Sequence, residues 1–190
     1  MTSCLILIDA QESFRHRPYF RADDVPAWLA AQNRLVEGFK SAGLPIVRVF
    51  HIDEPDTAAN PFSLASGHVR PFEGLAPFDA ALTVHKSRHS ALVGTGLDVW
   101  LTRQRIERVV VSGIRTEQCC ETTARHASDM GWEVVFALDA TLTWAIQTPA
   151  GNTLSAAQNR EPAPTVLDAG FASIFNALQA LERMLTPALA

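Results

Sequence analysis

The sequence predicts an α/β fold, in which a mainly parallel, doubly wound sheet is covered by helices on both faces, giving three layers of the Rossmann-like kind. One reason is that strand-like apolar runs alternate along the chain with helix-like segments. Another is that several runs, such as residues 109–111, are continuously hydrophobic, which is typical of strands buried on both faces. Because 190 residues with 47% hydrophobic content suffice for one core, we expect residues 1–190 to form a single domain.

Six segments have the composition of strands. The clearest is the run 108–112, which contains three consecutive valines, and the opening run is almost as apolar until it reaches Asp9. The run that ends at Lys86 is shorter. In chain order, the predicted strands are 4–9, 45–51, 82–86, 108–112, 133–137 and, at an edge of the sheet, 172–175.

Four segments are predicted to be helices, and glycines end two of them. Gly43 and Gly131 each follow a helix-like segment and can supply the left-handed residue that commonly ends a helix. The predicted helices are 25–42, 97–104, 117–130 and 177–185.

Two stretches have no clear secondary structure. Residues 52–79 form a long excursion that contains prolines and glycines, and Pro162 and Pro164 interrupt any long helix within 149–170. The excursion and the segment after Thr141 are expected to shape a pocket, and neither carries a readable code for its substrate.

Composition and charge exclude several classes of protein. A net charge of −4 without a basic stripe argues against a nucleic-acid partner. The apolar start at residues 4–8 is too short for a membrane span and has no basic leader, so we interpret it as a strand and expect no membrane association. Three cysteines, two of them adjacent, make no disulfide framework, which favours a reducing cytoplasm.

Chemically active side chains stand at or just after the ends of three predicted strands: Asp9, Lys86 and Cys119. A buried carboxylate is costly without a partner, and Lys86 is one of only two lysines in a chain that otherwise uses arginine. With Thr116 as N-cap, Cys119 would be the third helical residue, where the helix dipole lowers the thiol pKa. The carboxyl ends of parallel strands meet at one edge, so we expect the three side chains to lie together.

The motifs around these residues resemble the isochorismatase-like cysteine hydrolases. The resemblance covers residues 5–139, with a weaker tail at 171–174, and depends most on the spacing Gly113-x-x-Thr116-x-x-Cys119. Further carriers are the run 7–11, the run 84–92 with the glycine-containing run 94–98, residues 122–125, and the Asp-Ala-Thr sequence at 139–141.

The resemblance implies an isochorismatase-like fold and a catalytic triad of Asp9, Lys86 and Cys119. It also implies a cis peptide between Ile114 and Arg115, and an oxyanion hole formed by the backbone N–H groups of Arg115 and Cys119. Cys120 stands where the family usually has valine, and the spacing selects Cys119 as the nucleophile. The Arg115 side chain is open to two interpretations: contact with an anionic substrate group, or a position in solvent.

No metal or other cofactor is predicted. Nicotinamidases of this superfamily hold a metal ion with an aspartate and closely spaced histidines after the second strand, but here only His51 occurs in that region and the Asp-x-His pair is missing. No glycine-rich phosphate loop or dinucleotide fingerprint occurs either. Aromatic and basic residues near the strand ends are candidates for the pocket wall: Phe14, His51, Arg115 and Trp144.

The predicted activity is metal-independent hydrolysis of a C–N bond in a small amide, ureide or carbamoyl compound, through a thioester on Cys119. Two alternatives stay open. Isochorismatase itself cleaves a vinyl ether, without a need for covalent chemistry at the cysteine, and the vicinal pair Cys119–Cys120 could instead be a thiol redox sensor. Relatives are commonly dimers or larger, so a homo-oligomer is expected.

Overall fold

A six-stranded parallel sheet forms the centre of the computed structural model, which describes residues 2–184. The strands are β1 Ser3–Ile8, β2 Ile46–His51, β3 Leu82–Lys86, β4 Arg108–Ile114, β5 Glu133–Leu142 and β8 Ser173–Phe175. All five strand pairs of this sheet are parallel, and the order is β3-β2-β1-β4-β5-β8. The α/β prediction is therefore confirmed.

Helices pack on both faces of the sheet. Within residues 2–184 the α-helices are α1 Val25–Ser41, α2 Leu97–Arg103, α3 Glu121–Asp129, α4 Ala156–Arg160, α5 Pro162–Asp168 and α6 Ala177–Met184. Alternating β1 side chains supply both cores, with Leu5 and Leu7 on one face and Ile6 and Ile8 on the other. The first core also contains residues of α1 and α6, and the second contains residues of α2, α3 and α5.

The stretch 149–170, which sequence could not assign, contains short elements. A two-stranded antiparallel ribbon, β6 Ile146–Gln147 with β7 Thr153–Leu154, precedes α4. Pro162 opens α5 one residue after Glu161, so the prolines divide the segment into two short helices rather than one long helix. None of the helices within residues 2–184 is both long and apolar enough to cross a bilayer.

Two predicted boundaries differ from the structure in ways that affect the site. β5 continues five residues beyond the predicted end at Ala137, because Thr141 and Leu142 pair with Gly113 and Ile114 after a register shift. The helix predicted for 117–130 is divided into a π-helical turn, Thr116–Cys120, and α3. The last residue of the final predicted helix, Leu185, lies outside the described residues.

The order of the strands fixes where a site can form. The next two strands in the sequence, β2 and β3, lie on one side of β1. The strand β4 pairs with the other edge of β1, so the direction of winding reverses between β1 and β4. In doubly wound sheets, the crevice at the carboxyl ends of the strands at such a reversal is the usual binding position. Asp9 directly follows β1, and Cys119 lies five residues beyond the end of β4.

Gly113 is required where β4 runs beside β1. Its φ is +126°, and a Cβ atom there would overlap the carbonyl oxygen of Ile8, the residue that precedes Asp9. We expect Gly113→Ala to lower the free energy of unfolding by about 3 kcal/mol, because both the backbone conformation and the close approach become unfavourable.

A matched control separates these two causes. Gly43 also has a positive φ, +64°, but a Cβ there would meet no atom within 4 Å. Gly43→Ala should therefore cost only about 1 kcal/mol, the price of the left-handed conformation alone. Urea denaturation of both variants measures the difference, and equal losses would contradict the steric explanation.

Candidate active site

Asp9, Lys86 and Cys119 lie together at the carboxyl edge of the sheet. The Lys86 Nζ atom is 2.7 Å from Asp9 Oδ2 and 3.2 Å from Cys119 Sγ. The side chains of Asp9 and Lys86 are fully buried, and Cys119 is 6% exposed. The structure therefore brings the three residues together as the strand positions predict, with the ammonium in contact with both the carboxylate and the thiol.

The position of Asp9 depends on an unusual backbone conformation. Its φ is +49°, a left-handed value that aspartate tolerates better than most residues, and its N–H donates to the Val49 carbonyl. The second carboxylate oxygen, Oδ1, is buried and has no hydrogen-bond partner among the described residues. An unpartnered carboxylate oxygen beside a thiol is free to accept a proton from it.

His51 connects Lys86 to the outer part of the site. It pairs with Lys86 across the β2–β3 ladder, and its Nδ1 atom lies 3.1 Å from the Lys86 Nζ. The ammonium can only donate, so Nδ1 accepts and the Nε2–H donates to Asp53 Oδ1 at 2.9 Å. Gln11 fixes this histidine: its side-chain amide accepts from the His51 N–H and donates to the His51 carbonyl. Gln11 belongs to the run 7–11 that carries the family resemblance, but the sequence does not predict its two hydrogen bonds to His51.

The turn that carries Cys119 is held against β5. Thr116 Oγ1 donates to Thr141 Oγ1 at 2.9 Å, and Thr141 Oγ1 donates to the Leu138 carbonyl. The prediction that Thr116 caps the helix with its side chain is wrong, because Arg115 occupies the N-cap position and no side chain caps the turn. The Thr116 hydroxyl is used instead to join the turn to the extended part of β5.

Burial changes the expected acidity of Cys119, the predicted nucleophile. Burial, together with the negative charge of Asp9, raises the pKa of the Cys119 thiol to about 12, although Lys86 acts to lower it. The prediction of a thiol pKa lowered by the helix dipole is therefore wrong in its net sign. Burial alone would lower the pKa of Lys86, but the Asp9 carboxylate and Cys119 outweigh it and raise that pKa, so the lysine stays charged. The Cys119 sulfur is therefore expected to rest as a neutral thiol beside the Lys86 ammonium.

A small cavity opens above Cys119, with a volume of about 160 Å³. This volume lies below the range of roughly 300–1,000 Å³ usual for drug-sized ligands, which favours a small substrate. Asp9 and Cys119 line it together with Phe14 and His51, two of the predicted wall residues. Sequence reasoning missed the other lining residues: Arg17, Tyr19, Asp53, Phe62, His89 and Gln118.

Trp144 and Arg115, the two other predicted wall residues, are not among the lining residues. Trp144 is 3% exposed and stacks on Phe14 with ring centroids 5.6 Å apart, so it supports the wall from behind. The Arg115 guanidinium lies 4.9 Å from the Tyr19 ring and 2.9 Å from the Glu117 carboxylate. At 6% exposure it does not extend into solvent, which removes one of the two interpretations of this side chain.

Backbone groups near Cys119 are arranged around Arg115. The Ile114–Arg115 peptide bond is cis. The Arg115 carbonyl accepts hydrogen bonds from the N–H groups of Gln118 and Cys120, at 3.2 and 3.1 Å. Within residues 2–184 the Arg115 N–H itself donates no hydrogen bond, so this donor is available to a ligand.

Cys120 is separated from the cavity. It is fully buried in the core on the α3 side of the sheet, and burial raises its pKa well above the usual value of a thiol. Both cysteines of the vicinal pair are free thiols in the structure. A buried, protonated thiol exchanges slowly, so this environment does not favour a redox-sensing pair.

The cluster also contains side chains of the kinds that bind metal ions. One possible ligand atom each from Asp9, His51 and Cys119 lie within 4.8 Å of one another. However, Lys86 Nζ contacts Asp9 Oδ2, His51 Nδ1 and Cys119 Sγ, so the ammonium occupies the position that a cation would need. The residues present therefore do not fit a metal ion as long as Lys86 stays in place.

Comparison with known proteins identifies the class. The isochorismatase domain model matches residues 3–159. The crystal structure of a protein from Burkholderia xenovorans LB400 that is named as an isochorismatase superposes on this chain with a TM-score of 0.87. The two sequences are 27% identical, and the match covers 98% of this chain and 90% of that one. The isochorismatase family protein YecD of Escherichia coli O157:H7 is 31% identical over 152 residues, covering 73% of this chain and 79% of its own.

A shorter match involves an amidase. Nicotinamidase 3 of Arabidopsis thaliana is 43% identical over 61 residues, which cover 32% of this chain and 31% of that protein. The fold, the site and these matches together define a hydrolase with an α/β fold. The chain belongs to the isochorismatase family.

Proposed function

We propose that this protein hydrolyses a C–N bond in a small amide, ureide or carbamoyl compound, with Asp9, Lys86 and Cys119 as its catalytic residues. The observation that carries the proposal is the contact of one buried ammonium with both the Asp9 carboxylate and the Cys119 sulfur, at 2.7 and 3.2 Å. A buried charge pair is costly to maintain, so its position beneath a nucleophile in a cavity favours a chemical role over a structural one.

Asp9 acts first, as the base. Because the pKa of the Cys119 thiol is raised to about 12, a preformed thiolate is scarce at neutral pH. The thiol proton therefore moves to Asp9 Oδ1, which has no other partner, as the sulfur attacks the carbonyl carbon. Lys86 holds the carboxylate through Oδ2 and stabilises negative charge developing on the sulfur.

The oxyanion is held by backbone donors. Attack forms a C–S bond and places negative charge on the former carbonyl oxygen. The Arg115 N–H, which donates to no described group, and the Cys119 N–H at the same turn are the proposed donors. The proton on Asp9 then passes to the nitrogen as the C–N bond breaks, and an amine or ammonia leaves while the acyl group stays on Cys119.

A relative supports amide chemistry over vinyl ether cleavage. The nicotinamidase match covers only about a third of each chain but carries an amidase name. The unpartnered Asp9 Oδ1 beside the thiol is an arrangement that covalent C–N cleavage uses directly, whereas non-covalent vinyl ether hydrolysis needs no nucleophilic sulfur.

A substrate screen tests the proposal. Ammonia release is measured across small primary amides, ureides and N-carbamoyl amino acids, isochorismate turnover is measured in parallel by release of the carbonyl product of vinyl ether hydrolysis, and Cys119→Ala is the background control. We expect turnover within the C–N series that the control lacks. Turnover of isochorismate alone, unchanged in Cys119→Ala, would replace the proposal with vinyl ether hydrolysis.

Chelation is expected to leave the activity unchanged. The Lys86 ammonium contacts all three potential ligands, so catalysis by the Asp9–Lys86–Cys119 cluster has no place for a metal ion. Activity on the best amide is measured after treatment with EDTA and with 1,10-phenanthroline, and metal content is measured by elemental analysis. About one bound zinc, iron or manganese ion per chain, with activity lost on chelation, would contradict this expectation.

A cytoplasmic location and a homo-oligomeric state remain part of the proposal. Three free cysteines agree with a reducing compartment. Light scattering of the purified protein tests the oligomeric state directly.

A further inference from the structure

His89 is in contact with the nucleophile but has no place in the proposed triad. Its Nδ1 atom lies 3.7 Å from Cys119 Sγ, and the residue lines the cavity above the thiol. In contrast to Asp9 and Lys86, which are buried beneath the sulfur, His89 is exposed. The two sides of the sulfur therefore face different groups: a buried carboxylate and ammonium on one side, and an imidazole open to solvent on the other.

The loop that carries His89 is attached to the helix that follows Cys119. Ser90 Oγ is 2.8 Å from His126 Nδ1, and the Ala91 N–H donates to Thr123 Oγ1 at 3.0 Å. His126 and Thr123 both belong to α3, which begins directly after the nucleophile turn. The position of His89 relative to Cys119 is therefore fixed by two contacts to one helix, as a reacting group requires.

The second half of the proposed reaction needs a proton carrier. After the amine has left, water must lose a proton to attack the thioester, and the sulfur must regain one to become a thiol. A sulfur whose thiol pKa is about 12 departs with difficulty as a free thiolate, so proton transfer to it matters. Asp9 and His89 both line the cavity from which water enters, but Asp9 is fully buried and held by Lys86, whereas His89 is exposed to solvent beside the sulfur.

We propose that His89 is the acid–base catalyst of thioester hydrolysis, an inference that rests on the proposed Cys119 chemistry. Nδ1 of the neutral imidazole takes a proton from water as the water oxygen bonds to the thioester carbon. The resulting imidazolium gives that proton to Cys119 Sγ as the C–S bond breaks. The products are a carboxylic or carbamic acid and a neutral thiol beside a neutral histidine, so the enzyme returns to its starting state.

An activated ester separates the two half-reactions. With p-nitrophenyl acetate as the probe, release of p-nitrophenolate in the first turnover reports acetylation of Cys119, and the later steady rate reports its hydrolysis. We expect His89→Ala to retain the burst while the hydrolysis rate falls about 100-fold, the usual size of an acid–base contribution. Intact mass spectrometry should then show acetylated protein accumulating in the variant.

Chemical rescue and two further variants make the test specific. Added imidazole should restore hydrolysis in His89→Ala, because it can enter the space left by the side chain and carry the proton. His89→Gln can form hydrogen bonds but cannot act as the base, so it should be as slow as His89→Ala. His85→Ala is the matched control: His85 lies on the same segment, its ring is 5.8 Å from the Phe50 ring, and it does not line the cavity, so its rates should match wild type.

The outcomes distinguish this inference from the function on which it rests. A hydrolysis rate in His89→Ala equal to that of wild type, or a slowed rate that imidazole does not restore, overturns the role of His89. If wild-type protein never carries an acetyl group on Cys119 under these conditions, the covalent mechanism itself fails, and the role of His89 fails with it.

Discussion

Replacing Cys119 by alanine is expected to reduce the proposed amide hydrolysis by at least about 10,000-fold, because the proposed nucleophile is lost and no described residue can take its place. Cys120→Ala should retain at least about a tenth of the activity, since Cys120 is fully buried in the core and does not line the cavity. The measurement is ammonia release with the best substrate from the screen. Cys120→Ala should also cost about 1 kcal/mol of stability, because it leaves a small cavity.

Alkylation gives an independent measure of which sulfur reacts. Cys119 lines the cavity, whereas Cys4 and Cys120 are fully buried. Iodoacetamide should therefore modify a single site in the folded protein, and peptide mass spectrometry should place it on Cys119. Because the thiol pKa is raised to about 12, the rate should continue to rise with pH well above neutrality. Preferential labelling of Cys120 would overturn the assignment of the nucleophile.

The site could be predicted from the sequence to the extent that it depends on strand ends. Asp9 and Lys86 end apolar runs, and Cys119 follows another, so a parallel sheet brings them together whatever the loops do. Phe14 and His51 follow the same logic, because each lies at or shortly after the end of a strand that borders the crevice.

Residues that reach the cavity from elsewhere were not predictable in this way. Phe62 comes from the long excursion after β2, where no periodicity indicates which side chain turns inward. Tyr19 and Arg17 come from the loop after the 3₁₀ segment Glu12–His16. Trp144 was predicted to line the pocket because it follows β5, but its ring packs behind Phe14 instead.

The prediction of a lowered pKa for Cys119 was wrong for a physical reason. Sequence shows that a thiol follows a strand and begins a helix, which favours a lowered pKa, but it does not show how deeply the thiol is buried. At 6% exposure, desolvation dominates over the neighbouring ammonium, and the Asp9 carboxylate adds to it. The extra length of β5 was not predicted for a related reason, because Asp139 and Thr141 are polar residues typical of loops. In the structure their side chains are hydrogen-bonded: Asp139 Oδ1 accepts from the Ala177 N–H, and Thr141 Oγ1 accepts from the Thr116 hydroxyl.

Replacing Lys86 by methionine is expected to abolish most of the activity and also to destabilise the fold. Methionine retains much of the stem but removes the charge. Lys86 donates to Asp9 Oδ2 and acts to lower the pKa of Cys119, so its loss should raise the thiol pKa further. It also leaves a fully buried carboxylate without its cation, which costs on the order of 3 kcal/mol.

A double variant separates the chemical effect from the structural one. Asp9→Asn combined with Lys86→Met removes both buried charges, so it should recover much of the stability that Lys86→Met loses. It should recover no activity, because it lacks the proposed base as well as the ammonium. Lys86→Arg keeps the charge but places a planar guanidinium in a fully buried space built for a compact ammonium, so it should also be nearly inactive.

Two measurements decide the role of Lys86: turnover of the best amide, and the pH dependence of Cys119 alkylation in each folded variant, with thermal melting to record stability. In Lys86→Met the alkylation profile should shift to higher pH than in wild type, because the cation that opposes desolvation of the thiol has gone. If Lys86→Met keeps full turnover with an unshifted profile, Lys86 is only a residue at the end of β3, and the proposed set of catalytic residues is wrong.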